Sequence, residues 1–241
     1  GFAGLYMLHR ARRQGLNARV IEAAPSVGGT WYHNRYPGAR VDIPSMEYSY
    51  AFDEALQQQW RWSERYAPQA ELLRYANHVA DRFALRDGIQ LSTRMASAHF
   101  DEPLQRWRVG SEGGERWLAR FLVMASGPLS SPNRPDLPGL QDFAGPVLHT
   151  ADWPHEPVDF SGRRVAVIGT GSSAVQAIPI LARQAGELTV FQRTAAYAAP
   201  AHNGPLDGEF ETRIKADYAG FRARNRRMHG GFGSLLPPHP V

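Results

Sequence analysis

Residues 164 to 174 leave this chain little freedom in how it folds. Arg164-Val165-Ala166-Val167-Ile168 runs straight into Gly169-Thr170-Gly171-Ser172-Ser173-Ala174. The first five residues form an apolar β-rich run, and a helix is expected from about Ser173 to Ala185, bent by Pro179. The turn between them has the pattern G-x-G-x-x-A. Its first glycine permits a tight turn, its second lets backbone approach a pyrophosphate, and Ala174 is small enough for helix to pack on strand. The helix start then offers free N–H groups and partial positive charge to phosphates. A glycine pattern alone says little, because glycine turns are common. Between a strand and a helix it predicts a dinucleotide site.

The N-terminus holds part of a second copy. Gly1 and Gly4 fit the last two small positions, and Ala3 to Gln14 reads as a helix with Leu5, Leu8 and Ala11 near one face. Gly15 ends it, and Ala18 to Glu22 reads as a short buried strand. Glu22 lies eighteen residues after Gly4, and Gln192 lies eighteen residues after Ala174, so the copies align in register.

They differ at the residue that reads the ribose. A carboxylate such as Glu22 accepts hydrogen bonds from ribose hydroxyls and repels a 2′-phosphate. Gln192 is neutral and is followed by Arg193 and Thr194. This pair tolerates the phosphate, and the guanidinium binds it. The first site therefore fits FAD and the second NADP(H). Alone, Arg193 would read as a surface arginine; its register with Glu22 reverses that reading.

Between the copies, residues 25 to 65 form a long irregular stretch rich in aromatics, a length usually tied to function. Pro68 then opens a helix with Leu72, Tyr75, Ala76, Val79 and Phe83 on one face. Short strands are expected around Ile89 to Thr93, Ala96 to Phe100, Trp107 to Val109 and Trp117 to Met124. Pro128, Pro132, Pro135 and Pro138 mark a domain connection. The expected division is an FAD-binding domain at 1–130, a connection at 131–160, and the N-terminal part of an NADP-binding domain at 161–241. The fold class is α/β, with two Rossmann-like dinucleotide-binding domains (FAD and NADP). No strand precedes Gly1, and the tail GGFGSLLPPHPV closes on no element, so both ends read as truncations that interrupt the domains.

Composition excludes several classes. The chain has no cysteine, which removes disulfide scaffolds, thiolate metal sites and disulfide reduction through a cysteine pair. The dense arginine group Arg222, Arg224, Arg226 and Arg227 reads as a solvated helix face, not a nucleic-acid surface. No run of about 18 apolar residues occurs, and the N-terminus lacks signal-peptide organisation, so a cytoplasmic protein without stable membrane insertion is expected. His149, Asp152, His155 and Glu156 lack metal-ligand spacing, so no metal is expected.

Residues 143–154, F-A-G-P-V-L-H-T-A-D-W-P, match the pattern F-x-G-x-x-x-H-x-x-x-W-P at every defined position. With G-G-T-W-Y (28–32), R-Y-P-G-A-R-V-D (35–42) and M-A-S-G (124–127), the chain resembles the Baeyer–Villiger monooxygenases, class B flavin enzymes of the cyclohexanone and phenylacetone monooxygenase type. The resemblance covers essentially the whole chain. It implies FAD in the first domain and NADPH in the second, with oxygen carried from a flavin peroxide to a ketone to give an ester or lactone. It implies that Gly29, Thr30, Trp31, Tyr32 and His33 line the flavin, with Tyr48 beyond them and Met95 near the adenine. Arg40 and Asp42 would approach the nicotinamide. Gly169, Thr170, Gly171, Ser172, Ser173, Ala174, Val175, Gln176, Arg193 and Thr194 would hold the rest of NADP. Asp42 is the catalytic candidate, through an arginine for which these 241 residues hold no counterpart. His149 and Trp153 would couple the domains. Two other readings stand beside it: an amine- or sulfide-oxidising flavin monooxygenase, which shares both cofactors though such enzymes usually lack Trp153-Pro154, and a nucleotide-binding fragment without turnover.

Overall fold

The computed structural model describes residues 1–129 and 131–233; Ser130 and the last eight residues of the tail, 234–241, lie outside the described residues. In chain order the main helices are α1 (Phe2–Arg13), α2 (Thr30–His33), α3 (Ser45–Tyr48), α4 (Glu54–Gln59), α5 (Gln69–Arg82), α6 (Ser172–Gln184), α7 (Gly208–Ala216) and α8 (Tyr218–Asn225). The strands are β1 (Val20–Ile21), β2 (Ile89–Gln90), β3 (Met95–Asp101), β4 (Arg106–Ser111), β5 (Arg116–Ala119), β6 (Arg164–Ile168) and β7 (Glu187–Phe191). They group into two compact units. Gly1–Tyr36 with Leu72–Val158 make the first, and Pro37–Glu71 with the described residues from Asp159 onward make the second. Residues 37–71, expected inside a domain at 1–130, thus fold with the second unit.

In the first unit α1 ends as its sequence predicts. Gly15 adopts φ +70°, and its N–H donates to the Arg12 carbonyl while Leu16 N–H donates to that of Ala11. Arg10, Arg12 and Arg13 in the last turn suit the negative helix end. The expected strand 18–22 is only Val20–Ile21, paired in parallel with Ile89–Gln90. A parallel partner needs a long crossover, and here that crossover includes α5. On α5 the residues Leu72, Tyr75, Ala76 and Val79 are fully buried, so the apolar stripe read from sequence faces the core. Strands β3, β4 and β5 form an antiparallel sheet. The strand expected to reach Met124 stops at Ala119. Phe121, Val123 and Met124 are exposed and have no strand partner among the described residues, so nothing continues the ladder there.

In the second unit β6 and β7 pair in parallel from Arg164↔Glu187 to Ile168↔Phe191, and α6 connects them. Pro179 lies inside α6 and cannot donate to the carbonyl of Val175. The long irregular stretch 25–65 contains three short helices, α2, α3 and α4, too short to show a periodicity. Asp53 caps α4 by accepting from Leu56 N–H at 2.6 Å. Met46, Leu56, Ile214, Tyr218 and Phe221 are all buried in this unit. The reading of Arg222 as solvated is corrected. Its guanidinium donates to the carbonyls of Glu47 (2.7 Å) and Ser49 (2.9 Å) and to the Ser49 hydroxyl (2.8 Å), because the carbonyls at the end of α3 need donors. Arg226 and Arg227 are exposed, as expected.

Candidate nucleotide-binding sites

The first unit assembles its turn from glycine backbone. Gly29 adopts φ +57° and ψ −120°, and a Cβ there would stand 2.6 Å from Gly1 Cα. No L side chain tolerates that approach, so the G-G-T-W-Y segment packs on the dinucleotide turn backbone to backbone. Gly1 precedes α1, whose start has no side-chain cap. The Glu22 carboxylate reaches the same point, accepting from Gly1 N at 3.3 Å and from Ala24 N–H at 3.0 Å. A Cβ on Gly4 would lie 3.6 Å from Val20 Cγ1, ordinary contact, so helix and strand approach closely enough for a methyl and no more.

Thr93 and Ser92 donate backbone N–H groups to the carbonyls of Glu22 and Ala24, which brings the segment leading to Met95 alongside the end of β1. Trp31 is buried, while Thr30 and Tyr32 are half-buried and His33 is exposed. The Tyr32 ring lies edge-on to His33 at 5.1 Å and tilted against His155 at 4.9 Å, and Arg35 stands over it at 5.4 Å. Slight desolvation of the exposed His155 ring, followed by the positive charges of Arg35 and His33, holds its pKa below the usual histidine value; Glu156 opposes this. His155 therefore belongs to an aromatic cluster with Tyr32, a role that the spacing of His149, Asp152, His155 and Glu156 does not show. Asn34 is a second residue the motifs leave out. Its Oδ1 is buried and has no hydrogen-bond partner among the described residues, so an acceptor just after α2 awaits a donor.

His149 accepts the Ala151 N–H on Nδ1 at 3.2 Å. Its carbonyl accepts from Asp152 N–H at 2.9 Å, and Asp152 pairs with Arg134 at the surface. The fingerprint is thus a tight corner, with Trp153 half-buried just after it. Among the described residues no group of three His, Asp or Glu side chains is placed to hold a metal.

The second unit presents an open turn. Gly169 adopts φ +100°, and a Cβ on Gly169 or Gly171 would meet nothing within 4 Å. Gly169 N–H donates to the Phe191 carbonyl at 2.8 Å, which ties the turn to the end of β7. The start of α6 has Gly171 as its N-cap and no side-chain cap, so Ser172, Ser173 and Ala174 offer their backbone N–H groups into that open space. Gln192 Nε2 donates to the Thr170 hydroxyl at 2.6 Å, while Arg193 and Thr194 are exposed beside it. Val175 is exposed on the first turn of α6.

Arg40, Asp42 and Tyr48 lie in this same unit. Arg40 pairs with Glu64 at 2.8 Å and also donates to the Tyr66 carbonyl. Asn203 donates to the same Glu64 oxygen at 2.5 Å. Asp42 is exposed, and its carboxylate has no hydrogen bond or ion pair among the described residues. Gln176 does not face outward with the rest of the turn; its amide bonds the backbone of Arg40 at 3.3 and 3.1 Å.

Two glycine turns, each at the start of a helix and each reached by the residue that ends a parallel strand, are the features of paired dinucleotide sites. The family model for pyridine nucleotide-disulphide oxidoreductases matches residues 1–217. The chain belongs to this family. Having no cysteine, it carries the family's nucleotide-binding framework without a thiol pair. The resemblance to Baeyer–Villiger monooxygenases is borne out as well. A Baeyer–Villiger monooxygenase of Pseudooceanicola batsensis is 46% identical over 241 residues, covering 99% of this chain and 44% of that protein. A phenazine N-monooxygenase of Lysobacter antibioticus is 43% identical over 235 residues, covering 96% and 43%. Among solved structures, an oxidized steroid monooxygenase bound to NADP superposes with TM-score 0.94 at 54% identity, covering all of this chain and 46% of that one. A complex of OTEMO with FAD and NADP superposes with TM-score 0.91 at 39% identity, covering 96% and 44%. The α/β, Rossmann-like fold class is therefore established. The chain spans less than half the length of these relatives.

Proposed function

We propose that this chain is the nucleotide-binding part of a flavin- and NADPH-dependent monooxygenase that converts a ketone to an ester or lactone with O2. The complete fingerprint at residues 143–154, immediately ahead of the second dinucleotide turn, carries this reading. Support for both cofactors comes from the solved relatives described with FAD and NADP. The residues present fit both groups: two helix starts without side-chain caps, two glycine turns open to a ligand or closed only by glycine, and one orphaned acceptor at Asn34.

When bound, the flavin, reduced by NADPH, supplies the activation of oxygen. This chain's residues supply binding and orientation. Gly1, Gly4 and the start of α1 take the FAD pyrophosphate, and Glu22 takes ribose hydroxyls with the lone pairs left free beside its bond from Ala24 N–H. Gly29, Thr30, Trp31, Tyr32 and His33 form the wall for the rings, with Met95 toward the adenine. Gly169 to Val175 take the NADP pyrophosphate. With Gln192 drawn back onto Thr170, Arg193 and Thr194 meet the 2′-phosphate. Asp42 presents a carboxylate able to fix a guanidinium through bidentate bonds. His149 and Trp153 shape the corner in the segment that precedes the second dinucleotide turn. The setting proposed is cytoplasmic, with a small ketone and O2 as partners.

The test uses a long form, this chain together with the remaining length of its relatives, supplied with NADPH, O2, a ketone panel and a panel of amines and sulfides. Ester or lactone formation is the expected product. The N-oxidising relative makes the runner-up concrete. N- or S-oxides without any ester would replace the proposal by that reading.

A further inference from the structure

The reciprocal amide bonds between Gln176 and Arg40 concern two segments far apart in sequence. Gln176 Oε1 accepts Arg40 N–H at 3.3 Å, and Gln176 Nε2 donates to the Arg40 carbonyl at 3.1 Å, across 136 positions. A primary amide that bonds both groups of one residue copies a strand rung, and fixes that residue in place and direction. The approach is reinforced at Gly38, which adopts φ +80°; a Cβ there would stand 2.3 Å from the Gln176 carbonyl oxygen and 3.2 Å from Ile180 Cγ1. Only glycine permits both the dihedral and the approach. Downstream, Val41 N–H donates to the Ala67 carbonyl, so the segment is held on its other side too.

Gln176 follows directly on the first turn of α6, whose N–H groups face the open space before Gly169 and Gly171. Asp42 lies two residues beyond the tethered Arg40. We infer that Gln176 is a positioning residue that couples occupancy of the second dinucleotide turn to the placement of Arg40 and Asp42, in place of binding the nucleotide itself. This rests on the reading of that turn as an NADP site. A nucleotide that draws the first turn of α6 toward its phosphates must move or stiffen the Gln176 amide, and with it the Gly38–Asp42 backbone.

The test is amide hydrogen exchange at single-residue resolution on the 241-residue chain, with and without NADP+. In Gln176→Met the Arg40 amide should exchange about tenfold faster, the loss of one net hydrogen bond, and Gln176→Glu, which keeps the acceptor, should restore it to within roughly threefold. Exchange at buried Leu181 in α6 should stay unchanged, which separates lost tethering from a loosened helix. In the wild type NADP+ should slow exchange across residues 38–42; in Gln176→Met it should bind and leave them unslowed. Gly38→Ala, which disturbs the contact from the loop side, should do the same with the amide intact. In the long form, Gln176→Met should lower kcat while KM for NADPH holds. Equal slowing in wild type and Gln176→Met, or an unchanged Arg40 amide, overturns the coupling. A wild type that takes up no NADP+ overturns the functional reading, and the coupling with it.

Discussion

Gln192 donates its amide to the hydroxyl of Thr170 at 2.6 Å, so the side chain in the ribose-reading register turns back onto the glycine turn. The adjoining Arg193 is exposed. In the first unit the same register holds Glu22, a carboxylate that can only accept and that takes the Ala24 N–H at 3.0 Å. One donor and one acceptor at equivalent places support the opposite preferences for a 2′-phosphate proposed for the two turns.

Arg193→Ala should therefore weaken NADPH far more than NADH. Charge-assisted bonds worth roughly 1.5–3 kcal/mol correspond to about 10- to 150-fold in affinity. Titration of both nucleotides into wild type and variant reads the ratio. An unchanged ratio would return Arg193 to the ordinary surface.

Asp42→Ala in the long form should retain FAD and lose ketone oxygenation. The carboxylate has no partner among the described residues, so its removal costs the fold little. Bound-flavin absorbance and product yield separate the two effects. A variant that forms ester at the wild-type rate would remove Asp42 from the chemistry.

Two glycines should respond in opposite ways to alanine. Gly29→Ala forces a side chain into positive φ against the backbone of Gly1 and should cost roughly 1–3 kcal/mol or more, with FAD affinity falling alongside. Gly4→Ala meets only ordinary contact with Val20 and, lying inside α1, should gain up to about 1 kcal/mol in helix propensity. Urea unfolding of the two variants reads both signs. Equal costs would mean that the close approach of Gly1 and Gly29 is not what holds this segment.

The His155 cluster predicts a pH dependence. Its folded pKa lies below the ordinary value, so the unfolded chain binds the proton more readily. The neutral ring's contribution to stability is present above about pH 6.5 and is lost as pH falls below that value. His155→Gln should flatten this part of the stability profile, and an NMR titration of the ring should give a midpoint lower than in the urea-unfolded chain. A midpoint at or above the unfolded one would refute the packing against Tyr32 and Arg35.

Legibility in the sequence followed the range of the interactions. The stripe Leu72, Tyr75, Ala76 and Val79 could be read because helical burial repeats over neighbouring residues. Strand β6, turn and α6 could be read because strand, glycines and helix are contiguous. Strand β1 was read too long because its partner, Ile89–Gln90, comes about seventy residues later and supplies only two rungs. Arg222 looked solvated because the carbonyls it satisfies belong to Glu47 and Ser49, over 170 positions away. The same distance hid Gln176 and Arg40 from each other. Of the candidate site, the glycine turns and ribose readers were visible as motifs. His155 and Asn34 were not, since ring contact and an orphaned oxygen leave no spacing to find.

The open turn at Gly169 and Gly171 has a thermodynamic consequence. Backbone N–H groups at the start of α6 have no side-chain cap, so a nucleotide bound there, as proposed, would be in part a structural component of the second unit. Whatever binds the folded form alone stabilises it, by about 2.7 kcal/mol at a hundred times Kd, and raises its melting temperature with concentration. Melting curves of the second unit should climb with the logarithm of NADP+ concentration, and adenine dinucleotides without the 2′-phosphate should follow the same line displaced to higher concentration.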